Sequence, residues 1–165
     1  MSIVSDSYGT AFGQRLNARA TSFVTRALPR ATIAATELRY ENPQRILSTP
    51  PVEEDAYVVA VHLKLFPRYE YWQNGKPAPV SVLRPGETIV YDIKQKPTFH
   101  LNSPFHSIHF YLPQSALKEL AEQADAARFD ELHYKPAVSH VDHVLRGMAG
   151  ALLHYSEIRT RQAPS

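Results

Sequence analysis

Residues 56–66 read AYVVAVHLKLF, residues 80–93 read VSVLRPGETIVYDI, and residues 97–113 read PTFHLNSPFHSIHFYLP. Side chains in these stretches alternate with a period of two, the signature of extended strands. In the first stretch Tyr57, Val59, Val61, Leu63 and Leu65 share one face, and Val58, Ala60, His62, Lys64 and Phe66 share the other. Both faces are largely apolar, which predicts a central strand covered on both sides. Asn74-Gly75 predicts a type I′ hairpin, because that turn needs positive φ at both central residues and this pair tolerates it. Pro85-Gly86 predicts a second turn, between VSVL and ETIVYDI. The last strand divides into His106, Ile108, Phe110 and Leu112 on one face and Phe105, Ser107, His109 and Tyr111 on the other. The first set is the more apolar and is expected to face the core.

Working outward, TSFVTRAL (residues 21–28) and ATIAATELRY (residues 31–40) predict two further strands, the second rich in threonine and small apolar residues. Residues 1–20 are small, polar and mixed, and are expected to form a loose N-terminal arm. Glu53, Glu54 and Asp55 form a short acidic run whose plainest reading is a solvated loop. After Pro113 the pattern changes to helical. Leu117, Leu120, Ala121 and Ala124 make one apolar stripe; Val141, Leu145, Met148, Leu152 and Tyr155 make a second at near-heptad spacing. Ser139 with Asp142 predicts a capped start for that second helix. Its stripe would pack on the β body or form the seam of a homodimer. The expected domains are an arm (1–20), a β-barrel (21–112) and a helical dimerisation segment (113–165).

A chain of 165 residues with 44% hydrophobic residues and a net charge of +2 is expected to make one domain with its own core, or one such domain plus a small helical appendage. That charge demands neither a nucleic acid nor a membrane surface as partner. The absence of cysteine excludes disulfides, thiolate nucleophiles and cysteine metal sites, and agrees with an expected cytoplasmic location. The N-terminus carries no apolar stretch of signal-peptide length.

The eight histidines include His62, His100, His106 and His109 in predicted strands. Three imidazoles and a carboxylate would suit zinc or non-haem iron. However, the chain has no His-x-His, and His106 and His109, three apart, point to opposite faces of a strand. Glu87 and Asp92 are the nearby carboxylates, and Asp92 is expected to face outward. No metal site is therefore assigned. Nor does the sequence hold a nucleophile elbow, a dinucleotide fingerprint or a phosphate loop, so no catalytic residue and no cofactor are assigned. The strands are rich in aromatic residues, including Tyr57, Tyr69, Tyr71, Trp72, Tyr91, Phe99, Phe105, Phe110 and Tyr111. Such residues build either a core or a ligand pocket.

Three segments together resemble the N-terminal regulatory domain of AraC-type transcriptional regulators: Trp72-Gln73-Asn74-Gly75, Leu83 to Glu87, and Ser103 to Leu117, where a Ser-Pro-Phe strand runs straight into a helix. The resemblance covers the chain from about Thr21 to the end of the second helix. It implies a mainly β, cupin-like antiparallel barrel that binds a small-molecule effector, followed by two amphipathic helices that dimerise, in a bacterial protein. DNA would be bound by a C-terminal domain that these residues do not contain. In the family the N-terminal arm can close over the effector. On the family pattern His106 and Ile108 fall at inward positions of the last strand, with His62, Trp72 and Tyr91 as further pocket contacts. Metal-binding cupins carry a histidine three positions after the turn glycine, where this chain has Ile89. Two alternatives stay open: a cupin-type metal-dependent isomerase or oxygenase, and an oligomerisation module with a filled barrel.

Overall fold

Strand β3 (Ala56–His62) is buried at every residue. It pairs antiparallel with β8 (Phe105–Pro113) on one side and β6 (Glu87–Asp92) on the other. This is the central, doubly covered strand that its two apolar faces predict. A computed structural model of the chain describes residues 5–27, 32–42, 47–123 and 140–141. Around β3 stand β1 (Arg19–Ala27), β2 (Thr32–Tyr40) and β9 (His140–Val141), giving a six-stranded sheet in the order β1-β2-β8-β3-β6-β9. A second sheet has three strands in the order β5-β4-β7: β4 (Tyr69–Gln73), β5 (Lys76–Ala78) and β7 (Thr98–Leu101). The β4–β5 hairpin turns at Asn74 (φ 51°) and Gly75 (φ 75°), both left-handed as the type I′ turn requires.

The large sheet buries both faces. Leu38, Val58, Ala60, Ile89 and Tyr91 pack inward against Tyr69, Tyr71 and Leu101 of the small sheet. Tyr57, Val59, Val61, Val90, Ile108 and Phe110 form a separate core on the other face, joined by Leu117 of α2 (Gln114–Gln123). Among the described residues no ladder joins the two sheets. The isolated bridges Leu47–His100 and Phe66–Leu83 tie connecting segments, the first to β7 and the second to each other. The barrel is therefore open, an architecture of two facing sheets.

Two sequence expectations change here. The N-terminal residues are no loose arm: Gly9–Leu16 form helix α1, with Phe12, Arg15 and Leu16 buried. Its two large apolar residues stand four apart, which places them on one helix face. Its start is tied to the sheet where the Gly9 amide donates to Thr36 Oγ1 at 2.8 Å. At the C-terminal end, His140–Val141 pair with Thr88 and Glu87 as β9, so Val141 belongs to a strand and not to a helical stripe. A two-residue extension of an open sheet edge outweighs local helix propensity there. Leu145, Met148, Leu152 and Tyr155 lie outside the described residues.

At Gly13 α1 packs closely against the start of β1 and the residue before it. A Cβ built there would stand 2.7 Å from both the Ala18 carbonyl oxygen and the Ala20 Cβ. Gly→Ala inside a helix normally gains about 1 kcal/mol, whereas overpacking costs about 1–3 kcal/mol. Because both neighbours are short and stiff, the clash wins. Gly13→Ala is expected to lower the urea midpoint; an unchanged or raised midpoint would show that α1 is not held at this distance.

Candidate functional site

The pleat decides which side chains meet between the sheets. In β3 the inward positions are Val58, Ala60 and His62. The register sets these against Tyr111, His109 and Ser107 of β8, and sets Val58 against Tyr91 of β6. The inward face of β8 is therefore Phe105, Ser107, His109 and Tyr111. Between the two sheets lies a half-open cavity, walled by Val58 and His62 of β3, Tyr91 of β6, Phe105 and His109 of β8, Phe99 and Leu101 of β7, and Phe66. Phe12 and Leu16 of α1 close one side. The innermost space measures about 30 Å³, room for about two water molecules.

The walls are mostly aromatic. His62 stacks on Phe66, with ring centroids 5.5 Å apart and planes 6° from parallel. His109 meets Phe12 edge to face at 5.0 Å. Tyr91 packs edge-on against Tyr71 at 5.5 Å and Phe99 at 5.0 Å. Burial pushes the His62 imidazole down to about 4, partly opposed by the Glu87 carboxylate. Burial also pushes His109 well below the usual histidine range, and His62 and Arg15 add to that displacement. Burial raises the Tyr91 phenol well above its ordinary value. At neutral pH the cavity therefore presents two neutral imidazoles and a protonated phenol.

Polar contacts seat α1 over the cavity. Glu54 accepts hydrogen bonds from the Tyr111 hydroxyl at 2.6 Å and from the Ser5 hydroxyl. Tyr8 packs on Tyr111 with centroids 4.8 Å apart. The Val52 amide donates to Asp6 Oδ1 at 3.1 Å. Arg15 lies 3.8 Å from the same carboxylate oxygen, and burial lowers its guanidinium to about 10. Glu54 thus joins the N-terminal segment to β8 and is no member of a merely solvated acidic loop.

Of the five sequence-assigned pocket residues, His62 and Tyr91 line the cavity and the other three do not. His106 and Ile108 lie on the opposite face of β8. Ile108 belongs to the outer core, and His106 Nε2 is 2.6 Å from Glu37 Oε1, which also accepts from Arg39 Nε at 3.0 Å. Both faces of β8 are apolar enough to be buried, so alternation separated the two sets without indicating which faces the small sheet. Trp72 follows Tyr71 on β4 and so lies on the other face of that strand; it is only partly buried and does not line the cavity. His109, Phe105, Phe66 and the two α1 residues were missed. The signal for His109 was its separation of three from His106, which assigns the two histidines to different faces. Asp92 is also buried, at 3% exposure, and accepts from the Lys94 amide at 3.0 Å.

Among the described residues no three His, Asp or Glu side chains converge as metal ligands. Two imidazoles among aromatic walls fall short of the three protein ligands that a catalytic zinc takes. No described helix is long and apolar enough to cross a membrane.

No family model matches the chain, and no curated protein matches it. Solved structures do resemble it. A Cupin 2 conserved barrel domain protein from Salinispora arenicola CNS-205 has a TM-score of 0.44 and 11% identity, over 65% of this chain and 85% of its own. The Cupin_2 domain of an XRE family transcriptional regulator from Enterobacter cloacae has a TM-score of 0.39 and 16% identity, over 58% and 95%. The AraC-like transcriptional activator CuxR has a TM-score of 0.40 and 15% identity, over 95% of this chain and 52% of that one. At such identities residue roles rest on the geometry of this chain alone.

His62 links the cavity to pH-dependent stability. Its folded value of about 4 lies below the ordinary 6.5, so between those values the unfolded chain binds more protons and stability rises with pH. The full difference corresponds to about 3 kcal/mol. Urea unfolding is expected to be flat just above pH 7 and to lose at least that much by pH 4, since His109 adds to the loss, with a shallower loss in His62→Gln. An identical pH profile in the variant would show that His62 is not the buried neutral group.

Proposed function

We propose that this chain is the ligand-sensing and dimerisation part of an AraC-type, cytoplasmic bacterial transcriptional regulator, and that it performs no catalysis. The observation that carries the reading is the aromatic cavity between the sheets, with two inward imidazoles and a helix seated over one side. Small-molecule sites are mostly apolar, with a few polar groups that orient the ligand. The resemblance of Trp72–Gly75, Leu83–Glu87 and Ser103–Leu117 to AraC-type sensor domains favours this family over enzymes of cupin type.

In this reading an effector reaches His62 and Tyr91, and its size and polarity alter how firmly Phe12 and Leu16 sit. A ligand that binds the seated and unseated arrangements unequally shifts the balance between them. DNA is engaged through a separate domain of the full regulator. The near-heptad run Leu145, Met148, Leu152 and Tyr155 forms the homodimer seam.

A thermal-shift screen of small metabolites tests the sensor reading. A ligand at one hundred times its Kd adds about 2.7 kcal/mol, a rise of about 5–10 °C for a chain of this size. Val58→Phe, which fills the cavity, is expected to abolish the rise, while His106→Ala on the opposite face keeps it. The reverse pattern would move the site to the outer face. Sedimentation tests the seam: the chain is expected to run as a dimer, and a Leu145→Asp, Leu152→Asp double variant as a monomer. A double variant that stays dimeric would refute the seam.

A further inference from the structure

The cavity holds more basic groups than its aromatic packing needs. His62 is 3% exposed, and its Nδ1 has no hydrogen-bond partner among the described residues. A buried polar atom without a partner costs about 1–3 kcal/mol, so this one marks a place for a ligand atom. His109 stands on the same face of the neighbouring strand, opposite Ala60, with its Nδ1 3.4 Å from the Ser107 hydroxyl. Behind it Arg15 is 6% exposed, and its Nη1 also has no partner among the described residues. Its charge acts on His109.

Two of the three acids nearby are engaged, whereas Glu87 Oε2 is buried without a partner among the described residues. Glu54 is taken by Tyr111 and Ser5, and Asp6 approaches Arg15 only at 3.8 Å. Glu87 acts on His62 but is also 3.7 Å from Arg84. The Tyr91 phenol stays protonated. The site is desolvated, and two of its nitrogens, His62 Nδ1 and Arg15 Nη1, stand without partners among the described residues.

Resting on the reading that the cavity takes a small molecule, we propose that its ligand is a small monocarboxylic acid. The carboxyl group is received at His62, with His109 and Arg15 behind it, and the apolar body lies against Phe66, Phe99 and Phe105. Such an acid arrives from neutral water as its anion and binds together with one solvent proton, shared between a carboxyl oxygen and the His62 imidazole. No bond other than that to the proton is made or broken. A space of about 30 Å³ is too small for either body as it stands, so a short branched chain or one ring enters with Phe12 and Leu16 displaced outward.

Calorimetry on the whole chain with isobutyrate and benzoate, each against its neutral amide, tests this. The acids are expected to bind at least tenfold more tightly than the amides at pH 6. Uptake of one proton makes their affinity about a hundredfold weaker at pH 8, with an enthalpy that varies with the ionisation heat of the buffer. His62→Phe is expected to lose the preference for acids; the amide comparison and the pH slope, both on the unaltered chain, do not depend on that variant folding. Amides that bind as tightly as acids, or an affinity flat from pH 6 to 8, would overturn the carboxylic-acid assignment and leave the sensor reading standing. If no acid binds while a neutral compound from the thermal-shift screen does, the assignment again falls alone. If nothing binds in either experiment, both fall.

Discussion

Strand β8 carries two burial faces, and the arrangement of the molecule follows from that. Paired with β2 along one edge and β3 along the other, it is also buried on both faces. Ile108 and Phe110 must find one core, and Phe105 and Tyr111 another. A strand of period two sends each set to its own side without compromise. The second sheet exists to cover the Phe105 side. The outer core, which Leu117 joins, takes up the other. His109 and His106 are separated by the same rule, one into the aromatic cavity and one beside Glu37.

Much of the architecture was legible in the chain. The central position of β3, the Asn74-Gly75 hairpin, the Pro85-Gly86 turn and the passage from Pro113 into a helix are all local signals, set by alternation or by the φ that a turn demands. What alternation does not encode is which of two apolar faces looks at the second sheet. That is a long-range property of strand order, and it explains why His106 and Ile108 were assigned to the cavity in place of His109 and Phe105. Helix α1 was hidden for a different reason. Only Phe12 and Leu16 mark its buried face, and the rest of its burial uses glycine and the whole of Arg15, which composition reads as neutral or polar. Residue-by-residue patterning also could not show that Glu54, in an acidic run, is the acceptor joining Ser5 to Tyr111.

The position of Arg15 is informative about how α1 is held. A guanidinium is expensive to bury without close partners, yet this one lies 5.1 Å from the Phe12 ring centroid and makes only long contacts to Asp6. Aromatic rings offset part of that cost through the attraction of a cation to a π face. The seat of α1 is thus a balance of apolar burial by Phe12 and Leu16 against an incompletely satisfied charge. Such a balance responds to what occupies the space beneath it more readily than a fully apolar plug would.

Among the described residues no backbone ladder joins the two sheets. Backbone cooperativity is interrupted between them. The three-stranded sheet can open as a sub-global unit, at a cost below that of unfolding the molecule. Amide protons of β4 and β7 then exchange with solvent deuterium sooner than those of β3 and β8.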